Sequence, residues 1–419
     1  MRMKKVNVLL VGSGGRESAI LESILQSAFL TACYSDVIRT NSHHKLLPCT
    51  IKHENHINVI NFCKEKNIDL VIIGAEAPLC DGLADSLNDA GILTYGCNKQ
   101  ASLLESSKIF MKDILCKAGV PTAKYKNFTS NALPDAESYI STFNGKIVIK
   151  TDGLAGGKGV YICANQTEAL EVLKEFFDGK FGNAGKKVVI EEFLEGREVS
   201  VFAMCDGKKA IPFFHACDYK KINEGEVGLN TGGMGSFAPS FLSDNQFRET
   251  VNKYFNATIQ ELLRRGIEYT GFLFGGLICT KDGVVFLEYN IRMGDPETQS
   301  IMPLLESDIV EIIFQSINGT LQESDIKFSN KSAVTVVLAS EGYPLHYTIG
   351  KEIIGMQNTA CQIFTAGVKK QGSKYLTSGG RVLGVTAIGS TVKEAQDSVY
   401  QNIQHIHFDG KYFRRDIGN

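Results

Sequence analysis

Glu288 and Asn290 stand two residues apart in Leu287-Glu288-Tyr289-Asn290. On a β-strand such a pair leaves the same face, while Tyr289 points the other way. A carboxylate beside an amide oxygen is a hard oxygen pair, suited to magnesium next to nucleotide phosphates. Arg292, two residues on, could set a guanidinium fork against the same metal and phosphates. A Lys281-Asp282-Gly283 turn followed by Val284-Val285-Phe286 predicts that these residues ride the second strand of a hairpin. On its own, Glu-x-Asn reads more simply as the polar edge of a surface strand.

Other runs carry charge that could meet phosphate. Ile147 to Lys150 is a short apolar strand ending in lysine, and Thr151-Asp152-Gly153-Leu154-Ala155-Gly156-Gly157-Lys158-Gly159-Val160 follows it before Tyr161 to Cys163 resumes as strand. Glycine lets backbone close over phosphates and Lys158 supplies charge, so the run reads as a lid over ATP; a plain β-turn competes with that reading. Since the loop joins two strands, neither a Walker loop nor a Rossmann turn fits. Lys108 opens a helix, Ile109 to Ala118, that Gly119 and Pro121 stop. Alone it is a solvated lysine. Val188 to Glu192, a loop, and then Arg197-Glu198-Val199 form a strand pair bearing Glu191, Glu192 and Glu198. A carboxylate accepting two hydroxyl protons suits a ribose. The same run also reads as a routine hairpin with solvated glutamates.

Near the N terminus, Val6 to Val11 enters Gly12-Ser13-Gly14-Gly15-Arg16-Glu17 and then Ser18-Ala19-Ile20-Leu21. Strand, glycine turn and helix together set backbone N–H groups against an anion. Two readings stay open. Asp36, after the strand Thr31 to Tyr34, could be the acidic residue of an NAD site. Arg16, a cation inside the turn, better suits a terminal phosphate dianion. Gly74-Ala75-Glu76-Ala77-Pro78-Leu79 falls at a strand's carboxyl end, where α/β sheets hold ligands, or is a loop entering a helix with Pro78 in its first turn.

The tail of the first block is the most specific stretch. A strand ending E-x-N-x-R-x-G-D-P-E-T-Q, through Gly294-Asp295-Pro296-Glu297-Thr298-Gln299, resembles the carboxylate-amine ligases of the ATP-grasp superfamily, and within them the phosphoribosylamine–glycine ligase family. The resemblance covers essentially the whole chain. It implies Lys108, Lys150, Gly156, Gly157 and Lys158 on the phosphates of ATP, Glu191 to Leu194 (with Glu192 and Phe193) as the adenine hinge, and Glu198 on the ribose. It implies Mg2+ or Mn2+ on Glu288 and Asn290. Some other ATP-grasp enzymes carry a first metal carboxylate where this chain has Gly275-Gly276-Leu277, a ligand for which Asp295 or Glu297 would compensate. Gly14, Gly15, Arg16, Glu17, Asn230, Thr231, Gly232, Arg292, Gly294 and Asp295 would bind substrate, with Arg292, Asp218 and Lys158 in the chemistry. The sequence departs from the family pattern at Ser18 and Tyr219, where histidines are usual, and at Lys221, where arginine is. Ser378-Gly379-Gly380-Arg381 matches a family turn. The reaction implied joins glycine to 5-phosphoribosylamine through glycyl phosphate, with ATP consumed.

The elements that must position these residues follow from composition and order. With 419 residues, 43% hydrophobic and 21% charged, the chain has ample material for more than one core. A formal charge of −2 gives no general pull toward nucleic acid or anionic membrane, so phosphate binding must be local. Eleven cysteines without a C-x-x-C pair read as reduced thiols of a cytoplasmic protein, and neither a signal peptide nor a membrane span is expected. The alternation of strands and helices predicts an α/β chain with a parallel sheet near its N terminus. The resemblance implies a Rossmann-like parallel-sheet domain over 1–105, an ATP-grasp unit of two α+β lobes over 106–330 with its small lobe near 122–188, and a mixed α/β cap over 331–419. Small-molecule partners suffice, and a monomer could hold them. The competing functions are another ATP-grasp ligase or carboxylase, a non-catalytic nucleotide-binding protein, and an NAD oxidoreductase.

Overall fold

The computed structural model describes residues 4–153, 159–180 and 182–419. Near the N terminus, β1 (Val6–Val11), β2 (Leu30–Ser35), β3 (Leu46–Pro48), β4 (Leu70–Ile73) and β5 (Thr94–Tyr95) form a five-stranded parallel sheet, ordered β3-β2-β1-β4-β5. Crossovers are made by α1 (Gly15–Gln26), α2 (His56–Glu65), α3 (Glu76–Asp81) and α4 (Leu83–Asp89). The strand order reverses between β1 and β4, so the loops after those strands face each other across a crevice. β3 escapes a reading from sequence because three half-exposed residues are too few to show a period.

α5 (Leu103–Ser106) and α6 (Lys108–Lys117) lead to the small lobe. Ser107 caps α6, its Oγ accepting from the N–H of Phe110, which fixes Lys108 as the first helical residue. The lobe holds β6 (Tyr125–Thr129), α7 (Leu133–Ile140), β7 (Ile147–Thr151), β8 (Val160–Cys163), α8 (Gln166–Glu175) and β9 (Lys187–Glu192). Its antiparallel sheet runs β6-β9-β7-β8 over a core of its own around Ile149, Phe176 and Ile190. β9 carries that sheet on to Glu192, past the edge expected near 188.

The large lobe follows as β10 (Arg197–Gly207), β11 (Ala210–Asp218), β12 (Lys221–Asn223), β13 (Val227–Asn230), β14 (Gly235–Ala238), α9 (Asp244–Thr250), α10 (Asn256–Arg264), β15 (Tyr269–Thr280), β16 (Gly283–Asn290), α11 (Glu297–Ile301) and α12 (Ile309–Ile317). The C-terminal part adds β17 (Ser332–Ser340), β18 (Glu352–Ile353), β19 (Gln362–Thr365), β20 (Val368–Gln371), β21 (Lys374–Thr377), β22 (Arg381–Gly389), α13 (Val392–Asn402) and β23 (Lys411–Tyr412). One nine-stranded sheet runs β16-β15-β10-β11-β14-β17-β22-β19, with β23 beside β17. β9 and β10 thus lie in different sheets. The Glu191-to-Glu198 run is a crossing between lobes and not a hairpin. The boundary expected at 330 is bridged as well: β14 pairs with β17, so the cap prolongs the large lobe's sheet. The parallel sheet shares its cores with the large lobe, Ile20 and Ile24 of α1 belonging to the same buried cluster as Phe272 and Met293. No helix among the described residues is long and apolar enough to cross a membrane, and all eleven cysteines are free.

Candidate active site

Strand register puts the polar residues of the large lobe on one face. Ser200 of β10 pairs with Gly276 of β15, and Gly276 pairs with Glu288 of β16. Directly paired positions share a face, so these three lie in one row, with Glu198 and Asn290 two residues along their own strands. Gly276 contributes no side chain, and a Cβ there would stand 3.2 Å from Cγ of Glu288. Tyr289 faces the other way, packs on Phe255 and Phe286, and meets the hydroxyl of Thr258 at 3.0 Å. The Glu288 and Asn290 side chains have no hydrogen-bond partner among the described residues.

Lysines converge on that face from the small lobe. Burial lowers the Lys108 ammonium below its ordinary range, partly offset by Glu288, while Lys150 adds repulsion. Lys108 has no ion-pair partner among the described residues. Lys150 reaches Glu191 Oε2 at 2.9 Å and donates to the carbonyl of Leu287 at 3.2 Å. Lys112, one helical turn beyond Lys108, takes Glu191 Oε1 at 3.0 Å and Thr122 Oγ1 at 2.6 Å. Asp152 closes the group, accepting from Ser107 Oγ at 3.0 Å and from the N–H of Ile109 at 3.1 Å. That pins the foot of the glycine loop onto the start of α6. Gly156, Gly157 and Lys158 lie outside the described residues.

The hinge residues divide. Glu191 is buried and holds the two lysines instead of facing outward. Glu192 accepts from the N–H of Lys124 at 2.8 Å, and Phe193 carries Lys146 over its ring at 4.7 Å. Leu194 is half-buried in the crossing between lobes. Beyond it, Lys220 bridges Glu198 at 2.7 Å and Asp218 at 2.9 Å. Lys220 chiefly holds the Glu198 carboxyl below its ordinary range, whereas burial pushes that of Asp218 up. Glu297, at the start of α11, accepts from Ser200 Oγ at 2.8 Å, and burial, reinforced by Asp218, raises it to about 7.

The N-terminal turn departs from expectation. Arg16, expected as a free cation for a phosphate, is buried, with Nε on Glu17 at 2.7 Å, Nη1 on the Met293 carbonyl at 3.1 Å and Nη2 on Glu76 at 3.4 Å. Burial alone would lower its pKa, yet Glu17, Glu76 and Asp295 outweigh it and hold the group charged. Glu17 accepts from the N–H of Gly14 at 2.7 Å. Its side chain fills the crevice between β1 and β4, where a Cβ on Gly12 would come within 2.8 Å and one on Gly74 within 2.6 Å. The place a dinucleotide pyrophosphate would take is therefore filled by a carboxylate, although Asp36 does follow β2. Glu76 also takes Arg292 Nε at 3.3 Å, and Glu105 takes Arg292 Nη2 at 2.9 Å and the N–H of Ile291 at 2.9 Å. Arg292 thus joins the parallel-sheet domain to the metal-type strand.

The glycine-rich loops meet at the cap. Asp295 accepts from Gln299 Nε2 at 2.8 Å and from the N–H of Arg16 at 3.4 Å, and its Oδ1 lies 3.4 Å from Arg381 Nη1. Asp295 is thus held at the cap and Glu297 on Ser200, and no group of three metal-type carboxylates forms with Glu288 among the described residues. A Cβ on Gly15 would strike Gln299 Nε2 at 2.5 Å, and one on Gly294 would strike Glu297 at 2.5 Å, so both glycines are needed for close approach. Asn230 ends β13, and Thr231 Oγ1 donates to the Lys220 carbonyl at 2.8 Å. Arg381 reaches the carbonyl of Gly232 at 2.5 Å. Two of the three departures from the family pattern have local partners. Ser18 is buried and accepts from the N–H of Thr365 at 3.1 Å, while the Tyr219 hydroxyl donates to the carbonyl of Asn419 at 2.9 Å and accepts from the N–H of Gly418 at 3.0 Å.

No group of three or more metal-type side chains exists among the described residues. Glu288 and Asn290 still fit magnesium or manganese, because Mg2+ is commonly held by one or two carboxylates plus substrate phosphates and water. Reading the sequence missed Lys112, Glu105, Lys220 and Arg381 as site residues, while Glu76 lay in the Gly74–Leu79 run read as a possible ligand loop. Lys112 carried a signal in its four-residue spacing from Lys108 on one helix.

Comparison with known proteins agrees along the whole length. Models of the phosphoribosylglycinamide synthetase N domain, ATP-grasp (A) domain and C domain match residues 6–105, 106–298 and 333–419. A phosphoribosylamine–glycine ligase of Rhizobium meliloti is 40% identical over 416 residues, 99% of this chain and 98% of that one. One of Synechocystis sp. is 40% identical over 424 residues, 99% of each chain. The crystal structure of a phosphoribosylamine–glycine ligase from Thermotoga maritima has a TM-score of 0.85 at 31% identity, covering 98% of this chain and 100% of that one. The biotin carboxylase domain of a Hydrogenobacter thermophilus 2-oxoglutarate carboxylase shares the fold, with a TM-score of 0.73 at 16% identity over 98% and 92% of the two chains. With its three domains matched in order and its relatives aligned nearly end to end, the chain belongs to the phosphoribosylglycinamide synthetase family, the phosphoribosylamine–glycine ligases of the ATP-grasp superfamily.

Proposed function

We propose that the protein ligates glycine to 5-phosphoribosylamine, converting ATP to ADP and phosphate and yielding glycinamide ribonucleotide for purine synthesis. The observation that carries the active-site reading is Lys108, a partly buried cation with no ion-pair partner among the described residues, set between Glu288 and Lys150. A lysine held that way is stabilised by an incoming polyanion. ATP lies between the lobes, with Lys108 and Lys150 on its phosphates, Lys158 contributing further positive charge to them, and Glu198 toward the ribose. Glu288 and Asn290 hold the divalent ion, which when bound neutralises the phosphate oxygens.

The glycine carboxylate attacks the γ-phosphorus and ADP leaves; the sugar amine then attacks the acyl carbon, phosphate leaves, and the nitrogen gives up a proton. Such transfer needs positioning and charge balance more than a protein nucleophile. Arg292 also has each nitrogen on an internal partner, Glu76, Glu105 and the Met293 carbonyl, but it is less buried than Arg16 and has a second N–H on each Nη for a carboxylate or phosphoryl oxygen. Asp218 is the carboxylate for the glycine ammonium, with Asn230, Thr231 and Gly232 beside it. The sugar phosphate sits outside the turn at Gly14 and Gly15, toward Gly294 and Asp295, because Glu17 fills the crevice inside it. The substrates are small molecules, one chain supplies every residue named, and free thiols suit a reducing cytoplasm. The test is ADP release measured with each substrate omitted in turn. Release that depends on both glycine and phosphoribosylamine supports the reading; release that needs neither, or a different acceptor, defeats it.

A further inference from the structure

The sugar phosphate proposed above needs a cation, and Arg16 has all three of its nitrogens on internal partners. The nearest alternative enters from the C-terminal part. Arg381, the first residue of β22, points its Nη1 at the carbonyls of Gly232 (2.5 Å), Asp295 (2.7 Å) and Gly233 (3.4 Å), with Asp295 Oδ1 at 3.4 Å. That saturates one nitrogen and fixes the guanidinium plane. Its Cζ, Nη2 and Nε would lie 2.9, 3.0 and 3.2 Å from a Cβ on Gly232, so the group lies flat over that glycine. Nε and Nη2 have no partner among the described residues, and the side chain is 22% exposed. They form one edge of the fork, two N–H groups side by side, the arrangement that meets two oxygens of a phosphate.

The same carboxylate locates this edge. Asp295 reaches Arg381 with Oδ1 and the N–H of Arg16 with Oδ2, and a Cβ on Gly14 would stand 3.7 Å from that Oδ2. The guanidinium therefore lies one carboxylate away from the start of α1. We infer that Arg381 binds the phosphate of the phosphoribosyl substrate through its Nε–Nη2 edge, while Nη1 holds the Gly232–Gly233 and Asp295 loops in place. The inference rests on the sugar-phosphate site proposed above, and it assigns that site a residue from a part of the chain with no other role in the chemistry.

The test compares glycinamide ribonucleotide with its dephosphorylated nucleoside, titrated into the full-length protein and into Arg381→Ala and Arg381→Lys. Wild type should prefer the nucleotide strongly. In Arg381→Ala that preference should shrink by about ten- to a hundred-fold, with nucleoside and ATP affinities close to wild type. Arg381→Lys, which keeps the charge and loses the fork, should recover part of the preference and guards against misfolding of the alanine variant. If nucleotide and nucleoside weaken equally in both variants, Arg381 only props the loops and the inference falls. It falls equally if Arg381→Ala keeps the full preference. If wild type itself does not prefer the nucleotide, the sugar-phosphate site is wrong and takes the inference with it.

Discussion

Lys112→Met removes one of the two cations that hold Glu191. The lysine is fully buried, 3.0 Å from Glu191 Oε1 and 2.6 Å from Thr122 Oγ1. Breaking a buried pair outright costs about 3–5 kcal/mol. Here Glu191 keeps Lys150 at 2.9 Å, and Thr122 keeps the Phe286 carbonyl at 2.9 Å. Methionine also fills most of the vacated volume, so the expected loss is about 2–3 kcal/mol. Its pH dependence has a definite sign. Burial pushes the Glu191 carboxyl up, but Lys150 and then Lys112 outweigh it and leave it below its ordinary range. A depressed carboxyl contributes stability above its unfolded value, and that contribution is lost as pH falls through the folded value. The variant gives up part of this depression, so its penalty should be full near pH 6.5 and smaller at pH 4. Working at pH 6.5 also keeps Lys112 charged, since burial lowers it to about 8 against the pull of Glu191. Urea unfolding at both pH values is the assay. A second readout follows from charge: Lys150 is left to balance Glu191 alone, so the KM for ATP should rise about five- to thirty-fold, or 1–2 kcal/mol. A stability loss under about 1 kcal/mol, or one of equal size at both pH values, would refute the electrostatic account of the cluster.

Three further outcomes test other parts of the site. Glu288→Gln and Asn290→Ala should each abolish ligation with a nearly unchanged urea midpoint, because neither side chain has a hydrogen-bond partner to lose among the described residues; a folded double variant with full activity would remove the metal assignment. Arg16→Lys should cost about 2–4 kcal/mol in urea unfolding, since a lysine cannot serve Glu17, Glu76 and the Met293 carbonyl together, and a neutral result would mean that those contacts carry no stability. Glu297 is raised from 4.5 to about 7, so its contribution is whole below the unfolded value and lost as pH rises through the folded one. Glu297→Gln should therefore match wild type near pH 4 and exceed it above pH 7 by up to about 3 kcal/mol, and a pH-independent difference would contradict this.

The strand bearing Glu288 and Asn290 was legible because a period of two decides which side chains share a face, and nothing distant can change that. Lys108 and Lys150 were legible as ends of elements, since a serine cap and a run of β-branched residues locate those ends. The partners of Arg292 were not. Glu76 lies 216 residues from it and Glu105 lies 187, and both contacts depend on how the parallel sheet docks on the large lobe. Arg16 misled for the same reason: a glycine turn with a cation suggests an anion site, and only the packed structure shows Glu17 and Met293 already meeting that cation. The crossing after Glu192 looked like a hairpin because strand, short loop and strand are identical in sequence whether the strands pair or part. The continuity of β14 with β17 was equally hidden, as sheet order is set by long-range pairing.

The charges of the site sort into two kinds. Arg16, Arg292, Lys112, Lys150 and Lys220 each lie within 3.4 Å of at least one carboxylate. Such pairs set geometry and add little net field, in keeping with a chain whose formal charge is −2. A polyanion gains most from cations whose attraction is not already taken up. Among the cations of the site, Lys108 has no ion-pair partner within the described residues, and Arg381, 3.4 Å from Asp295 through Nη1, keeps its Nε–Nη2 edge without a partner there. The first stands beside Glu288 at the lobe interface, the second beside Asp295 at the start of α1. Two separate phosphate-bearing substrates need two separate cations of this kind. The intervening pairs, Glu76–Arg292–Glu105 above all, tie the parallel-sheet domain to the strand that carries Glu288 and Asn290.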